Sequence, residues 1–129
     1  MILGIGIDSV DSSRFSEWHT FSRKQLERIF SAQEIDYCLA VPINSAQRFA
    51  ARFAAREAFF KALGQSNNQH IFFLTMCKNV KVINSSRGVP DLQVDWSLFP
   101  ALSHQSIQVF ISLTHTDSVA TAMVLLSTE

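Results

Sequence analysis

The chain predicts an α+β fold: a mostly antiparallel sheet with one long central helix packed on it. Three observations carry that expectation. Strand-like and helix-like segments alternate irregularly along the 129 residues, unlike the regular alternation of a parallel βαβ sheet. The stretch from Ser45 to Gly64 contains a run of strong helix formers with no breaker. The last two strand-like runs are separated only by His115-Thr116-Asp117-Ser118, short enough for a hairpin.

Ile2 to Ile7 reads as a short buried strand, interrupted by Gly4 and Gly6 where backbone or ligand approaches closely. Ser12 or Ser13 is placed to cap a helix through Phe15 and Trp18, and a second short helix covers Arg23 to Phe30. Ser31 and Glu34 have capping-box spacing, with Ser31 as N-cap. The central helix then runs to Gly64, which sits where a left-handed C-cap belongs. At about 100° per residue, Phe49, Phe53 and Phe60 share a stripe, flanked on one side by Arg48, Arg52 and Arg56 and on the other by Glu57 and Lys61. The remaining face is alanine, which lets the helix axis come close to a neighbour.

Beyond Gly64 the reading is a polar loop (Gln65 to Gln69), then strands at Ile71–Leu74, Asn79–Ile83 and Leu92–Asp95. Gly88-Val89-Pro90 makes a turn between the last two. Pro100 to Gln105 reads as a short helix, and Val109–Thr114 with Val119–Leu126 as the final strands. No repeat, low-complexity tract or linker divides the chain, so residues 1–129 form a single domain.

Composition narrows the function classes. Hydrophobic residues make up 47% and charged residues 17%, a globular balance. Eleven phenylalanines imply a thick core, or surface aromatics covered by a partner subunit. Cys38 and Cys77 lack the spacing of a zinc site or a disulfide scaffold, which suits free buried thiols in a reducing compartment. The N-terminus has no basic leader. Trp96 to Thr116, the longest stretch without a charged residue, carries Pro100 and two histidines and is no membrane span. The expectation is a soluble, cytoplasmic protein.

Zero net charge hides an asymmetry. All eleven Lys and Arg lie between Arg14 and Arg87, and the chain through Arg87 holds seven acids, for a net +4; from Gly88 onward four acids stand without a base. Bases concentrate at Arg14 to Arg28 and at Arg48 to Lys61, a local field that would recruit an anionic partner. The pattern is too sparse for a nucleic-acid arm.

Four side chains are candidates for chemistry. Asp8 closes a hydrophobic strand, as an ordinary strand-end acid or cap does, or as a carboxylate entering a cleft does. Glu57 sits mid-helix beside arginines; it is either a surface partner of Lys61 or an arginine, or half of a carboxylate pair for a hard cation. Magnesium takes one or two protein carboxylates and leaves sites for phosphate oxygens, which Lys61, one turn on, would neutralise. His115 ends a hydroxyl-rich strand and is either a hairpin histidine or a phosphate contact.

Taken together, three blocks resemble the holo-(acyl carrier protein) synthases, the small prokaryotic-type 4′-phosphopantetheinyl transferases. They are Gly4-Ile5-Gly6-Ile7-Asp8 followed by Arg14; Arg52-Phe53-Ala54-Ala55-Arg56-Glu57-Ala58 with Phe60 to Gly64; and Ile111-Ser112-Leu113-Thr114-His115-Thr116. The resemblance implies a homotrimer with active sites at subunit interfaces. It implies catalysis by Asp8, Glu57 and Lys61, with Mg²⁺ held by Asp8 and Glu57 against the coenzyme A pyrophosphate. Arg52, Lys61, Gly64, Pro90, His115 and Thr116 would bind coenzyme A. Arg14, Arg23, Lys24, Arg28 and Phe30 would face an acidic acyl carrier protein, whose serine takes the phosphopantetheine arm for fatty acid biosynthesis. The proton acceptor would be Glu57 or a metal-ordered water that it holds. A magnesium-dependent nucleotide hydrolase and a non-catalytic binding module are the alternatives. The chain departs from the family at Arg56, usually lysine, at Gln65-Ser66-Asn67-Asn68, usually glycine-rich, and at Val89, usually lysine.

Overall fold

The computed structural model describes residues 1–66 and 71–128. A three-stranded antiparallel sheet forms in the order β1 (Ile2–Asp11), β5 (Val119–Thr128), β4 (Ile107–His115). A second, two-stranded antiparallel sheet pairs β2 (Val80–Asn84) with β3 (Pro90–Val94). The α+β reading with antiparallel pairing therefore holds. β1 runs four residues beyond Ile7 because the ladder to β5 continues through Asp8↔Ala122 to Asp11↔Val119, and the Ser9 and Thr121 hydroxyls share a 2.8 Å hydrogen bond there.

Strand alternation gives the sheet two unlike faces. Gly4, Gly6, Val10, Ala120, Ala122, Val124 and Leu126 are buried beneath the central helix α3 (Ser45–Ser66). Small residues on both sides let α3 lie almost on the backbone of β1: a Cβ built on Gly4 or Gly6 would fall on the carbonyl oxygen of Ala62 or Ala58. The opposite face carries Ile5, Ile7, Phe110 and Met123, all exposed in the single chain.

Short helices cover the side of α3 turned away from the sheet. Ser22 caps α1 (Arg23–Leu26) and Ser31 caps α2 (Ala32–Ala40), each through a complete capping box, with Gln25 and Glu34 as the reciprocal residues. Glu34 then does more than cap. Its carboxylate is 1% exposed and takes a bidentate bond, 2.6 and 2.8 Å, from the fully buried Arg56 of α3. Arg56 also donates to the carbonyls of Cys77 and Val80, and Glu34 accepts from the amide of Val82. The pair thus fastens α2, α3 and the start of β2 together, and satisfies both buried charges.

Several sequence expectations fail locally. The helix through Phe15 and Trp18 is two 3₁₀ turns, Ser12–Phe15 and Trp18–Thr20, with no side-chain cap. The helix expected to Phe30 ends at Leu26. Gly64 is no left-handed C-cap: α3 continues to Ser66, and the only positive φ among the described residues is at Gly88, 78°, in the expected turn. Continuation brings the Gln65 side chain to the Ile5 amide at 2.8 Å, tying the helix end to β1. Ile71–Leu74 is not a strand. Phe73–Cys77 forms α4, because that apolar run has no period-2 alternation and buries Met76 and Cys77 as neighbours. Pro100 to Gln105 is a chain of turns rather than a helix. The loop expected at Gln65 to Gln69 lies mostly outside the described residues.

Candidate active site

Asp8 lies on the helix side of β1, with Ala122 of β5 as its register partner. Lys61 on α3 reaches down to it: Nζ stands 3.1 Å from Asp8 Oδ1 and donates to the Ile7 carbonyl at 2.9 Å. Glu57, one turn before Lys61, shares this neighbourhood. Burial raises its carboxyl above the ordinary range, the negative charge of Asp8 raises it further, and Lys61 and Arg14 pull it back. Two hard-oxygen carboxylates that repel each other suit a small divalent cation. Magnesium needs only one or two such ligands beside water and phosphate oxygens. Among the described residues no larger cluster of acids, histidines or cysteines converges.

A second cluster forms on the other flank of α3. Arg52 and Glu57 are five residues apart, about 140° around the helix. Arg52 lines a pocket of about 290 Å³ together with Tyr37, Arg48, Asn84, Gly88 and His115. It is 4% exposed, and its Nε has no hydrogen-bond partner among the described residues. Burial lowers its guanidinium from the usual value. His115 enters this pocket from the end of β4, with β5 between that strand and the β1 strand of Asp8. A single chain therefore presents two half-sites, and its own fold does not join them.

The other predicted positions distribute between them. Gly64, seven residues after Glu57, continues the stripe of Glu57 and Lys61 and belongs with the carboxylates rather than with the pocket. Pro90 opens β3 opposite Asn84, one of the pocket residues. Thr116 turns the β4–β5 hairpin, its Oγ1 accepting from the amides of Ser118 and Val119. In the basic set, Arg14 lies exposed over the rings of Phe15 and Phe53, and Lys24 and Arg28 are exposed without a carboxylate partner among the described residues. Arg23 is paired with Asp36 at 2.8 Å. Phe30 is a correction: it is 3% exposed, packed between Trp18, Phe49 and the Arg56 guanidinium, and cannot face a partner. Tyr37 and Asn84 come to the pocket from elements distant in sequence, and no spacing signals them. A larger cavity, about 670 Å³ between Phe30 and the β2–β3 hairpin, brings together none of the catalytic candidates.

The family model of the 4′-phosphopantetheinyl transferase superfamily matches residues 4–124. The chain belongs to this superfamily. Within it, the chain is 38% identical over 128 residues to the holo-[acyl-carrier-protein] synthase of Geobacter metallireducens, and 34% identical to that of Geotalea daltonii; each alignment covers 98% of both chains. The crystal structure of the holo-(acyl-carrier-protein) synthase of Bacillus anthracis, in complex with CoA (3′,5′-ADP), superposes with a TM-score of 0.75 at 29% identity, over 100% of this chain and 99% of that one. The synthase of Neisseria meningitidis superposes at 0.76 and 27% identity, over 98% and 99%. The fold of this superfamily member is thus that of its solved relatives across the whole chain.

Proposed function

We infer that this superfamily member transfers the 4′-phosphopantetheine arm of coenzyme A to a serine hydroxyl of an apo acyl carrier protein. The observation that carries this reading is the Asp8–Glu57–Lys61 cluster, held at the meeting of β1 and α3 in a chain similar to holo-[acyl-carrier-protein] synthases along 98% of its length. The Bacillus anthracis relative was solved with coenzyme A.

Asp8 and Glu57 would hold Mg²⁺, which supplies charge neutralisation at the pyrophosphate. Lys61 stands within reach of the same phosphates and would share that task. The serine oxygen forms a bond to the phosphorus nearest the pantetheine, and the bond from that phosphorus to the bridging pyrophosphate oxygen breaks. Adenosine 3′,5′-bisphosphate leaves with the electron pair. Glu57, directly or through a water it holds, takes the serine proton. Positioning and electrostatics do most of the work in such transfers.

A homotrimer completes the site. The outward sheet face of Ile5, Ile7, Phe110 and Met123 is an apolar surface that a monomer would leave wet, with Ile7 59% and Phe110 55% exposed. A neighbouring copy seated there would bring its Arg52–His115 pocket toward the carboxylate half-site of the first. Arg14, Lys24 and Arg28, with no carboxylate in salt-bridge contact among the described residues, offer positive charge to an acidic carrier. No helix among the described residues is long and apolar enough to cross a membrane, and two free buried cysteines suit the reducing cytoplasm.

Intact-mass spectrometry of an apo acyl carrier protein incubated with this protein, coenzyme A and Mg²⁺ tests the reading. The expected result is a gain of one phosphopantetheine arm that EDTA abolishes. Coenzyme A cleavage without carrier modification would replace transfer by hydrolysis.

A further inference from the structure

Glu34 caps α2, and it also makes contacts that capping does not require. Its Oε1 accepts from the Ser31 amide at 3.0 Å and from Arg56 Nη2 at 2.6 Å. Its Oε2 accepts from Arg56 Nη1 at 2.8 Å and from the Val82 amide at 3.2 Å. Arg56 in turn has an acceptor for each N–H of its guanidinium: the two carboxylate oxygens and the carbonyls of Cys77, Val80 and Arg52. Both side chains are fully buried.

Stability alone does not call for this arrangement. A buried ion pair is often matched or exceeded by apolar side chains of similar volume. What the pair adds is direction. A bidentate fork meets a carboxylate in one plane, so it fixes the rotation and translation of α3 at residue 56 against α2, α4 and β2. Ala58 is fixed from another side, because Gly6 of β1 lies against its carbonyl with no room for a Cβ. Glu57 stands between these two anchors, and Asp8 follows Gly6 by two residues on the same strand. The spacing of the two carboxylates is therefore set by Glu34 through one anchor and by β1 through the other. This control is geometric: the charges that act on the Glu57 carboxyl are those of Asp8, Lys61 and Arg14.

We propose that Glu34, acting through Arg56, is a positioning residue that sets the spacing of Asp8 and Glu57 and with it the affinity for the divalent cation. This rests on the magnesium reading above and adds to it a residue of α2 that touches neither the cation nor the reacting groups.

The test compares Mn²⁺ binding by paramagnetic resonance, which needs no turnover, with steady-state transfer. It uses wild type, Arg56→Lys, the double variant Glu34→Met/Arg56→Met, and Leu102→Ala as a core truncation outside the pair. Circular dichroism at the assay temperature confirms that each is folded. The double variant leaves no buried charge unpaired, yet it is expected to bind Mn²⁺ about tenfold more weakly and to lose about tenfold or more in kcat. Its KM for the carrier protein should be unchanged. Arg56→Lys, which keeps the charge but has only three donors and no fork, should lie between. Leu102→Ala should melt earlier and still bind Mn²⁺ as wild type does. A double variant that binds Mn²⁺ and turns over like wild type would overturn the proposal, as would an equal loss in Leu102→Ala or a wild type that binds no Mn²⁺. Should the double variant not fold, Arg56→Lys decides, and wild-type Mn²⁺ affinity there sinks the idea. If the affinities fall in the expected order but no carrier is modified, the transfer reading fails and the positioning role stands. If carriers are modified and the double variant matches wild type, the reverse holds.

Discussion

At Glu57, burial and the charge of Asp8 act in the same direction, and only Lys61 and Arg14 oppose them. The folded carboxyl therefore holds its proton to higher pH than an unfolded one. A proton and a divalent cation compete for it, so the Mg²⁺ concentration for half-maximal transfer should rise as pH falls from neutrality toward the raised value. A magnesium titration at several pH values checks this; a requirement independent of pH would remove Glu57 from the ligand set. The same sign says that charge at Glu57 costs stability without metal. Glu57→Gln should then abolish transfer yet unfold at the same temperature as wild type or higher, and Asp8→Asn should also be inactive and folded. Lys61, now on Asp8, occupies ground that a cation would take. Lys61→Met is expected to tighten Mn²⁺ binding by paramagnetic resonance while slowing transfer.

At the scale of elements, the Glu34–Arg56 pair and the β1–α3 contact hold the site in place. Burial alone would raise Glu34, but the Arg56 hydrogen bonds and charge more than reverse it, leaving its carboxyl below the ordinary range. Its contribution to stability is complete above the unfolded value, near pH 4.5, and is lost as pH falls through the lower folded one. Arg56→Met strands a buried carboxylate and should cost about 3–5 kcal/mol in chemical denaturation, most of it recovered when Glu34→Met is added. Gly6→Ala should cost about 1–3 kcal/mol or more, because β1 and the Ala58 carbonyl must separate. That separation moves Asp8 away from Glu57, so activity should fall further than stability.

In the proposed trimer, the two half-sites meet at the scale of the whole molecule. In a closed three-fold ring each active site would take Glu57 from one copy and Arg52 from the next. Glu57→Gln and Arg52→Gln chains, each inactive alone, should regain about a quarter of wild-type activity when refolded together in equal amounts, from counting the productive interfaces of random trimers. No recovery would mean that both half-sites of one chain serve the same reaction. Phe110→Asp on the outward sheet face should give monomers by light scattering and lose transfer with the fold retained.

Much of this was legible in the residues themselves, wherever a local rule acts on neighbours in the chain. The Ser31–Glu34 capping box, the long breaker-free helix, the terminal hairpin and the opposite flanks of Arg52 and Glu57 all follow from spacing that one turn or one strand enforces. The three motif blocks carried the family. What spacing could not say was which helical charges are used internally. Arg48, Arg52 and Arg56 form one row in sequence, yet only Arg56 meets a buried carboxylate, because Glu34 at the start of α2 faces Arg56 whereas Tyr37, one turn on, faces Arg48 and Arg52. Phe30 looked available to a partner and is core; Ile71 to Leu74 looked like a strand and leads into a helix. Tyr37 and Asn84 reach the pocket from elsewhere in the chain. Local spacing is set by bond geometry, whereas burial, pairing and the join of two flanks depend on contacts between residues far apart, which only the folded chain decides.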